Sequence, residues 1–236
     1  MVKISKRMKD EISATSDDIY NLDDAISFLC GLPKVGFVQT IDIAINLGID
    51  PRKPDQAVRG MFVPKNGLGK DVKILAIVSE KYLDDAKKAG ADIVGGENII
   101  DDIKTNGVNF DSCIASMDMM PKIGKIAKIL GPKGLMPSPK LGTATNDVAH
   151  AITQAKAGQI EYRSDKYGIL HAGIAKEDFS PDNIKENIIQ FVKKINDVKP
   201  SAAKGTYIKN VYISKTMSIS VKLDISEIYN IINNKA

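Results

Sequence analysis

The spacing of apolar residues changes character along this chain. Leu22, Ala25, Ile26 and Leu29 recur at helical intervals, and Gly31 and Pro33 close the run, which predicts a short helix over residues 22–30. From Thr40 to Leu47 the period drops to two. Ile41, Ile43, Ile45 and Leu47 alternate with Thr40, Asp42, Ala44 and Asn46, the pattern of a half-buried strand whose second face meets something polar. Pro51, Pro54, Pro64, Asn66, Gly67 and Gly69 then interrupt regular structure and mark a boundary near residues 64–70.

Beyond Asp71 the style is different. Val72 to Val78 is nearly all apolar, as in a strand covered on both faces, and a helical stretch follows through Lys88 to Gly90. Ile93 and Val94, a helix near 97–104, and Ser112 to Ala115 with another helical stretch repeat the alternation. This order predicts an α/β domain with a mostly parallel sheet. Asn146 is the expected N-cap of its last helix, with Val148, Ala151, Ile152 and Ala155 on one face and Gly158 at the end.

The first style returns after residue 159. Strands are expected at Ile160–Arg163, Ile169–Ile174, Tyr207–Ser214 and Thr216–Leu223. Ser180 and Pro181 open a helix whose buried stripe is Ile184, Ile188, Phe191, Val192 and Ile195. Because both terminal thirds share an α+β style that the middle lacks, the chain reads as one discontinuous domain with a second domain inserted.

The 236 residues suffice for two cores, and 43% of them are hydrophobic. A formal charge of +4 permits a polyanionic partner without requiring one. Cys30 and Cys113 lie far apart in apolar stretches and read as buried reduced thiols. The start at Met1, Val2, Lys3 and Ile4 lacks an apolar signal region and no run is long enough to span a membrane, so a cytoplasmic protein is expected.

Charge placement says more than the total. No acidic residue stands between Asp118 and Asp147, where Lys122, Lys125, Lys128, Lys133 and Lys140 occur. The first three recur at every third position, so on a helix they drift around one face while the isoleucines pack inward. The loop from Gly131 to Gly142 holds Lys133 and Lys140 among prolines and glycines, which suits presentation to phosphates and suits an ordinary solvated loop as well. A second acid-free stretch, Val198 to Leu223, carries Lys199, Lys204, Lys209, Lys215 and Lys222. In its last strand Met217, Ile219, Val221 and Leu223 alternate with Thr216, Ser218, Ser220 and Lys222, a row of hydroxyls able to meet phosphate and ribose oxygens or simply water.

Enzymatic readings fare poorly. Gly67-Leu-Gly-Lys70 lacks the spacing and the Ser or Thr of a phosphate loop, and Gly95-Gly96 is no dinucleotide fingerprint, which weakens a nucleotide-dependent enzyme built on the middle domain. His150 and His171 have no partners at ligand spacing and read as structural; no metal or cofactor is expected. Met117, Met119 and Met120 read as core filler after the third middle-domain strand. Trp is absent and aromatics are 6%, which favours recognition of folded RNA by shape over single-strand base stacking.

The segment Gly131-Pro-Lys-Gly-Leu-Met-Pro-Ser-Pro-Lys-Leu-Gly-Thr143, preceded by Lys125-Ile-Ala-Lys128, resembles the signature of the L-one family of large-subunit ribosomal proteins, bacterial type. Asn46-Leu-Gly-Ile-Asp-Pro-Arg52, Asp55-Gln56, Val58-Arg-Gly60, Arg163-Ser-Asp-Lys166 with Gly168 and His171, and Thr216-Met217 before Val221-Lys222 are similar to further family motifs in family order. The resemblance implies two domains: a discontinuous α+β domain of residues 1–66 and 159–236 that binds rRNA, and a Rossmann-like three-layer α/β domain of residues 67–158 inserted on hinge segments. It implies a non-enzymatic component of the large subunit, monomeric when free, that holds the mobile rRNA stalk near the tRNA exit site. Exit-site tRNA, whose deacylated form it helps to release, and the protein's own messenger, which it represses, are the other implied partners. By motif position, Phe37, Thr40, Asp165, Lys166, Asn210, Thr216, Met217 and Ser218 are the implied RNA contacts, with Lys133 and Lys140 secondary. Two positions depart from the family pattern: Gly36 stands where a lysine often precedes the phenylalanine, with Lys34 nearby to substitute, and Ser218 stands where glycine is usual.

Overall fold

The computed structural model describes residues 5–15 and 19–234, so the expectation about Met1 to Ile4 lies outside the described residues. The chain forms two compact units, one of residues 1–68 and 160–236 and one of Gly69–Gln159. The first unit opens with α1 (Lys6–Ala14), α2 (Leu22–Gly31), β1 (Thr40–Leu47) and β2 (Arg59–Phe62). The second holds β3 (Ile74–Ile77), α3 (Leu83–Lys88), β4 (Ile93–Gly95), α4 (Glu97–Asn106), β5 (Ser112–Ala115), α5 (Met120–Ile123), α6 (Ala127–Leu130) and α7 (Val148–Lys156). The chain then returns to the first unit with β6 (Ile160–Arg163), β7 (Ile169–Lys176), α8 (Pro181–Asp197), β8 (Ile208–Lys215), β9 (Ser220–Leu223) and α9 (Ile225–Asn234).

In the first unit β1 lies between β7 and β8, with β9 outside β8, in a four-stranded antiparallel sheet. The strand keeps the alternation its sequence carries: Ile41, Ile43, Ile45 and Leu47 are buried while Thr40, Asp42, Ala44 and Asn46 are half-exposed. The buried row joins Leu170, Ile174, Val211, Ile213 and Val221 beneath α2, α8 and α9 in one core. Ser180 caps α8 by accepting from Asn183 N at 3.4 Å, and Pro181 presets the first turn. The helix then buries the stripe its spacing predicts, and the fully enclosed Asn187 donates to Ile174 O at 2.9 Å, tying α8 to β7. A separate hairpin pairs β2 with β6. Gly60 is required there because a Cβ would fall 2.5 Å from the Tyr162 hydroxyl.

In the second unit β4, β3 and β5 are parallel, with β3 central. Leu75 and Ile77 face a layer of Ile100, Ile103, Ile123 and Ile126, while Ile74 and Ala76 face Ala86, Val148 and Ile152. Both faces are covered, which explains the unbroken apolar run and makes this a three-layer α/β unit. The expected fold class, α+β with an α/β portion, is what the structure contains.

Several local expectations are corrected. Asp147, not Asn146, caps α7, its Oδ1 accepting from His150 N at 3.2 Å. The Lys122–Lys128 segment is no single helix: α5 and α6 are separated by a 3-10 turn at Gly124–Ile126. A spacing of three is the 3-10 period, so the lysines stay outside and Ile123 and Ile126 are fully buried without a long helix. Met119 is core, but Met117 is 45% exposed. Cys113 is a buried free thiol, with burial pushing its pKa up to about 12, whereas Cys30 is only half-buried. The last strand begins at Ser220, and Thr216 and Met217 form a turn, so Met217 leaves the core and the hydroxyl row breaks up.

Candidate nucleic-acid interface

The polar face of the first unit's sheet is a sequence consequence carried into space. Strand register sets His171, Ala44, Tyr212 and Lys222 side by side across the four strands, followed by Gly173, Asp42, Ser214 and Ser220 one step along. Helices α2, α8 and α9 pack on the opposite, apolar side of the sheet, which leaves these polar side chains on the other face.

One end of that face is built by residues far apart in sequence. Thr216 N donates to Thr40 O at 3.1 Å, and Thr40 N donates to Thr216 Oγ1 at 3.1 Å, so the two threonines lock the β8–β9 turn onto the start of β1. Thr216 Oγ1 completes the pair by donating to Thr40 O at 3.3 Å. Lys176 Nζ donates to Thr40 Oγ1 at 2.8 Å, which brings an ammonium to the same spot. Phe37, Val38 and Met217 stay about half exposed beside it, at 52%, 48% and 48%. This end of the sheet thus joins exposed apolar groups to a cation and hydroxyls.

Beneath the turn lies a buried ion pair. Lys215 Nζ and Glu177 Oε1 are 2.7 Å apart with side chains 0% and 10% exposed. Gln39 couples the pair to the surface: its Nε2 donates to Glu177 Oε2 at 3.4 Å, and its Oε1 accepts from Met217 N at 3.0 Å. Burial acts to raise the Glu177 carboxyl, but the Lys215 ammonium, with help from Gln39, outweighs it and holds the group below its ordinary value. Lys215, one of the five lysines of the second acid-free stretch, is therefore a structural cation rather than a displayed one. Ser218 is also used internally, its Oγ accepting from Lys215 N at 2.9 Å and donating to Ile219 O at 3.0 Å. No residue other than glycine has a positive φ among the described residues, so the Cβ at Ser218 costs this turn no strained backbone. At Gly36 an added Cβ would meet nothing within 4 Å, and Lys34 is exposed.

The other sequence-predicted residues lie at the far end of the sheet. β1 has eight residues, which separates its ends by about 23 Å. Asn210 pairs in register with Asn46 near that far end. Asp165 opens the turn between β6 and β7, where its Oδ1 accepts from Tyr167 N and Ile169 N, each at 2.8 Å. The Ile169 bond leads the effects that lower its pKa, so the carboxylate belongs to the turn. Gly168 supplies φ +78 there, and Lys166 Nζ sits 5.2 Å from the Tyr167 ring centre. Tyr167 is 71% exposed and escaped the sequence reading, although the Asp-Lys-Tyr-Gly turn places it at the tip. Lys176, Gln39 and Tyr212 were also missed; nothing local in the sequence marks them. Lys133 and Lys140 belong to the second unit, both exposed, on a loop pinned by Thr143, whose Oγ1 accepts from Ser138 N at 2.9 Å. Among the described residues there is no cluster of three or more His, Cys, Asp or Glu side chains that could hold a metal, and no helix long and apolar enough to cross a membrane.

Fold and surface together define a class: a chain of one α+β unit whose sheet displays polar side chains on one face and one α/β unit whose central strand is covered on both faces. The chain belongs to the Ribosomal protein L1p/L10e family, whose profile matches residues 29–219. It is 49% identical over 212 residues to the large ribosomal subunit protein uL1 of Rickettsia akari, covering 90% of this chain and 89% of that protein. It is 47% identical over 213 residues to the protein of the same name from Rickettsia canadensis, again covering 90% and 89%. The family resemblance read from the Gly131–Thr143 signature is thus borne out. The family consists of structural ribosomal components, and the chain is accordingly not an enzyme.

Proposed function

We propose that the first unit binds a folded segment of large-subunit rRNA, the mobile stalk near the tRNA exit site, through the open sheet face and its two ends. The convergence of Phe37, Thr40, Lys176, Thr216 and Met217 carries this reading, because it joins a cation, hydroxyls and exposed apolar groups at one end of the sheet. Lys166, Tyr167 and Asn210 form the second end, so the RNA lies along the strands and spans about 23 Å. Lys133 and Lys140 supply a secondary contact from the second unit. Working in the cytoplasm within the large subunit, the protein holds the stalk as deacylated tRNA leaves, and it represses its own messenger when that RNA presents the same shape. Both roles use the one RNA surface.

Measuring affinity for the stalk RNA against salt tests the reading. Each phosphate neutralised contributes a slope of about 0.7 to 0.9 log units per log unit of salt. A slope near zero would overturn it. For repression, a reporter carrying the protein's own leader must lose its response when Met217→Ala removes the exposed apolar contact; a full response would separate the two activities.

A further inference from the structure

The main chain of Met217, in the turn proposed above to meet RNA, is held from two sides. Its N–H donates to Gln39 Oε1 at 3.0 Å, and its carbonyl oxygen accepts from Arg7 Nη2 at 2.8 Å. The second bond spans 210 residues and comes from α1, which none of the family motifs includes.

Both holding groups are themselves fixed. Arg7 Nε lies 3.4 Å from Oε1 of Glu11, one helical turn on, and Glu11 is 3% exposed. A planar guanidinium held through one nitrogen has little freedom to turn another away, so the direction of Nη2 is set in the free protein. Gln39 is anchored in turn by Glu177, the partner of buried Lys215. The Met217 side chain, by contrast, is 48% exposed. Its backbone is tied while its side chain is left outside, the arrangement that spares a contact residue the loss of backbone freedom on binding.

We infer that Arg7 is a positioning residue for RNA recognition: with Gln39 it fixes the Met217 peptide, so that the exposed side chain is presented to RNA in one orientation. Helix α1 thereby serves the RNA surface without touching RNA. The inference rests on the RNA-binding reading of that surface.

Arg7→Ala in the full chain, with affinity for stalk RNA and for generic duplex RNA measured across a salt series, tests it. Stalk affinity should fall about fivefold while duplex affinity holds, because what is lost is the placing of one contact. The salt slope should keep its wild-type value; a slope lower by about 0.7 to 0.9 would make Arg7 a phosphate contact and overturn the inference. In a Met217→Ala background, Arg7→Ala should cost less than about twofold, since its effect runs through that side chain. An undiminished loss there, or an equal loss on both RNAs, would also overturn it. Arg7→Ala leaves the Glu11 carboxylate without its guanidinium, so Arg7→Ala/Glu11→Gln is measured beside it and carries the same prediction if the single variant does not fold. Unchanged stalk affinity in the variants of a protein that binds overturns the positioning role alone. A wild type with no salt-dependent affinity for stalk RNA overturns the RNA reading, and the inference with it.

Discussion

The four-stranded sheet of the first unit and the three-stranded sheet of the second bury their central strands differently, and the difference decides where each unit can display chemistry. β1 hides one row of side chains under helices and leaves Thr40, Asp42, Ala44 and Asn46 on an uncovered face. β3 is apolar on both faces because helices cover both, and all four of its residues are buried. A sheet of the first kind offers a broad polar platform at no cost to its core. In the second kind every position of the central strand is committed to packing, and charged residues such as Lys133 and Lys140 appear on loops. The proposed RNA surface lies on the unit of the first kind.

The sharpest way to break this contrast is to place a charge at matched positions of the two strands. Ala76→Asp buries an uncompensated carboxylate between two layers and should cost the second unit at least about 4 kcal/mol, abolishing its cooperative urea transition. Ala44→Asp on the open face should cost only about 0.5 kcal/mol, and comparable losses at the two sites would refute the distinction. Next in size is Lys215→Ala, which strands Glu177 beneath the β8–β9 turn and should lower stability by about 3 kcal/mol in chemical denaturation. Thr216→Val removes the hydroxyl that joins the turn to β1 and should weaken stalk-RNA binding about tenfold, or about 1.4 kcal/mol, with a much smaller loss on generic duplex RNA; equal losses would deny Thr216 a specific role. The smallest effect is in the pH profile. Glu177 is held below its ordinary value of 4.5, so the stability it contributes is fully present above that pH and disappears as pH falls through the folded-state value. Thermal melts of Glu177→Gln should therefore flatten the decline of stability below pH 4.5; an unchanged acid slope would show that the pair does not titrate with folding.

Much of the fold could be read in advance because its signals are local. The alternation of Ile41 through Leu47, the stripe of α8 and the apolar run around Ile74 to Ile77 each state which faces are buried. Failures cluster where a tertiary contact overrides the pattern. Thr216 to Ile219 alternates like a strand, but its backbone groups turn back to Thr40, Gln39 and Lys215, and a turn forms. Lys215 resembles a displayed cation in a lysine-rich stretch, yet Glu177 draws it inside from 38 residues away. Family resemblance supplied Phe37, Thr40 and Thr216, while Lys176 and Tyr167 emerged only with the coordinates.

By itself the sequence determined the two styles of strand, the helix faces, the family and the absence of a phosphate loop, because periodicity, caps and motifs are properties of neighbouring residues. Only the tertiary structure decided which polar groups are available to a partner. That depends on pairings such as Lys215 with Glu177, Arg7 with Met217 and Thr40 with Thr216, which link distant segments by hydrogen bonds that no local pattern encodes.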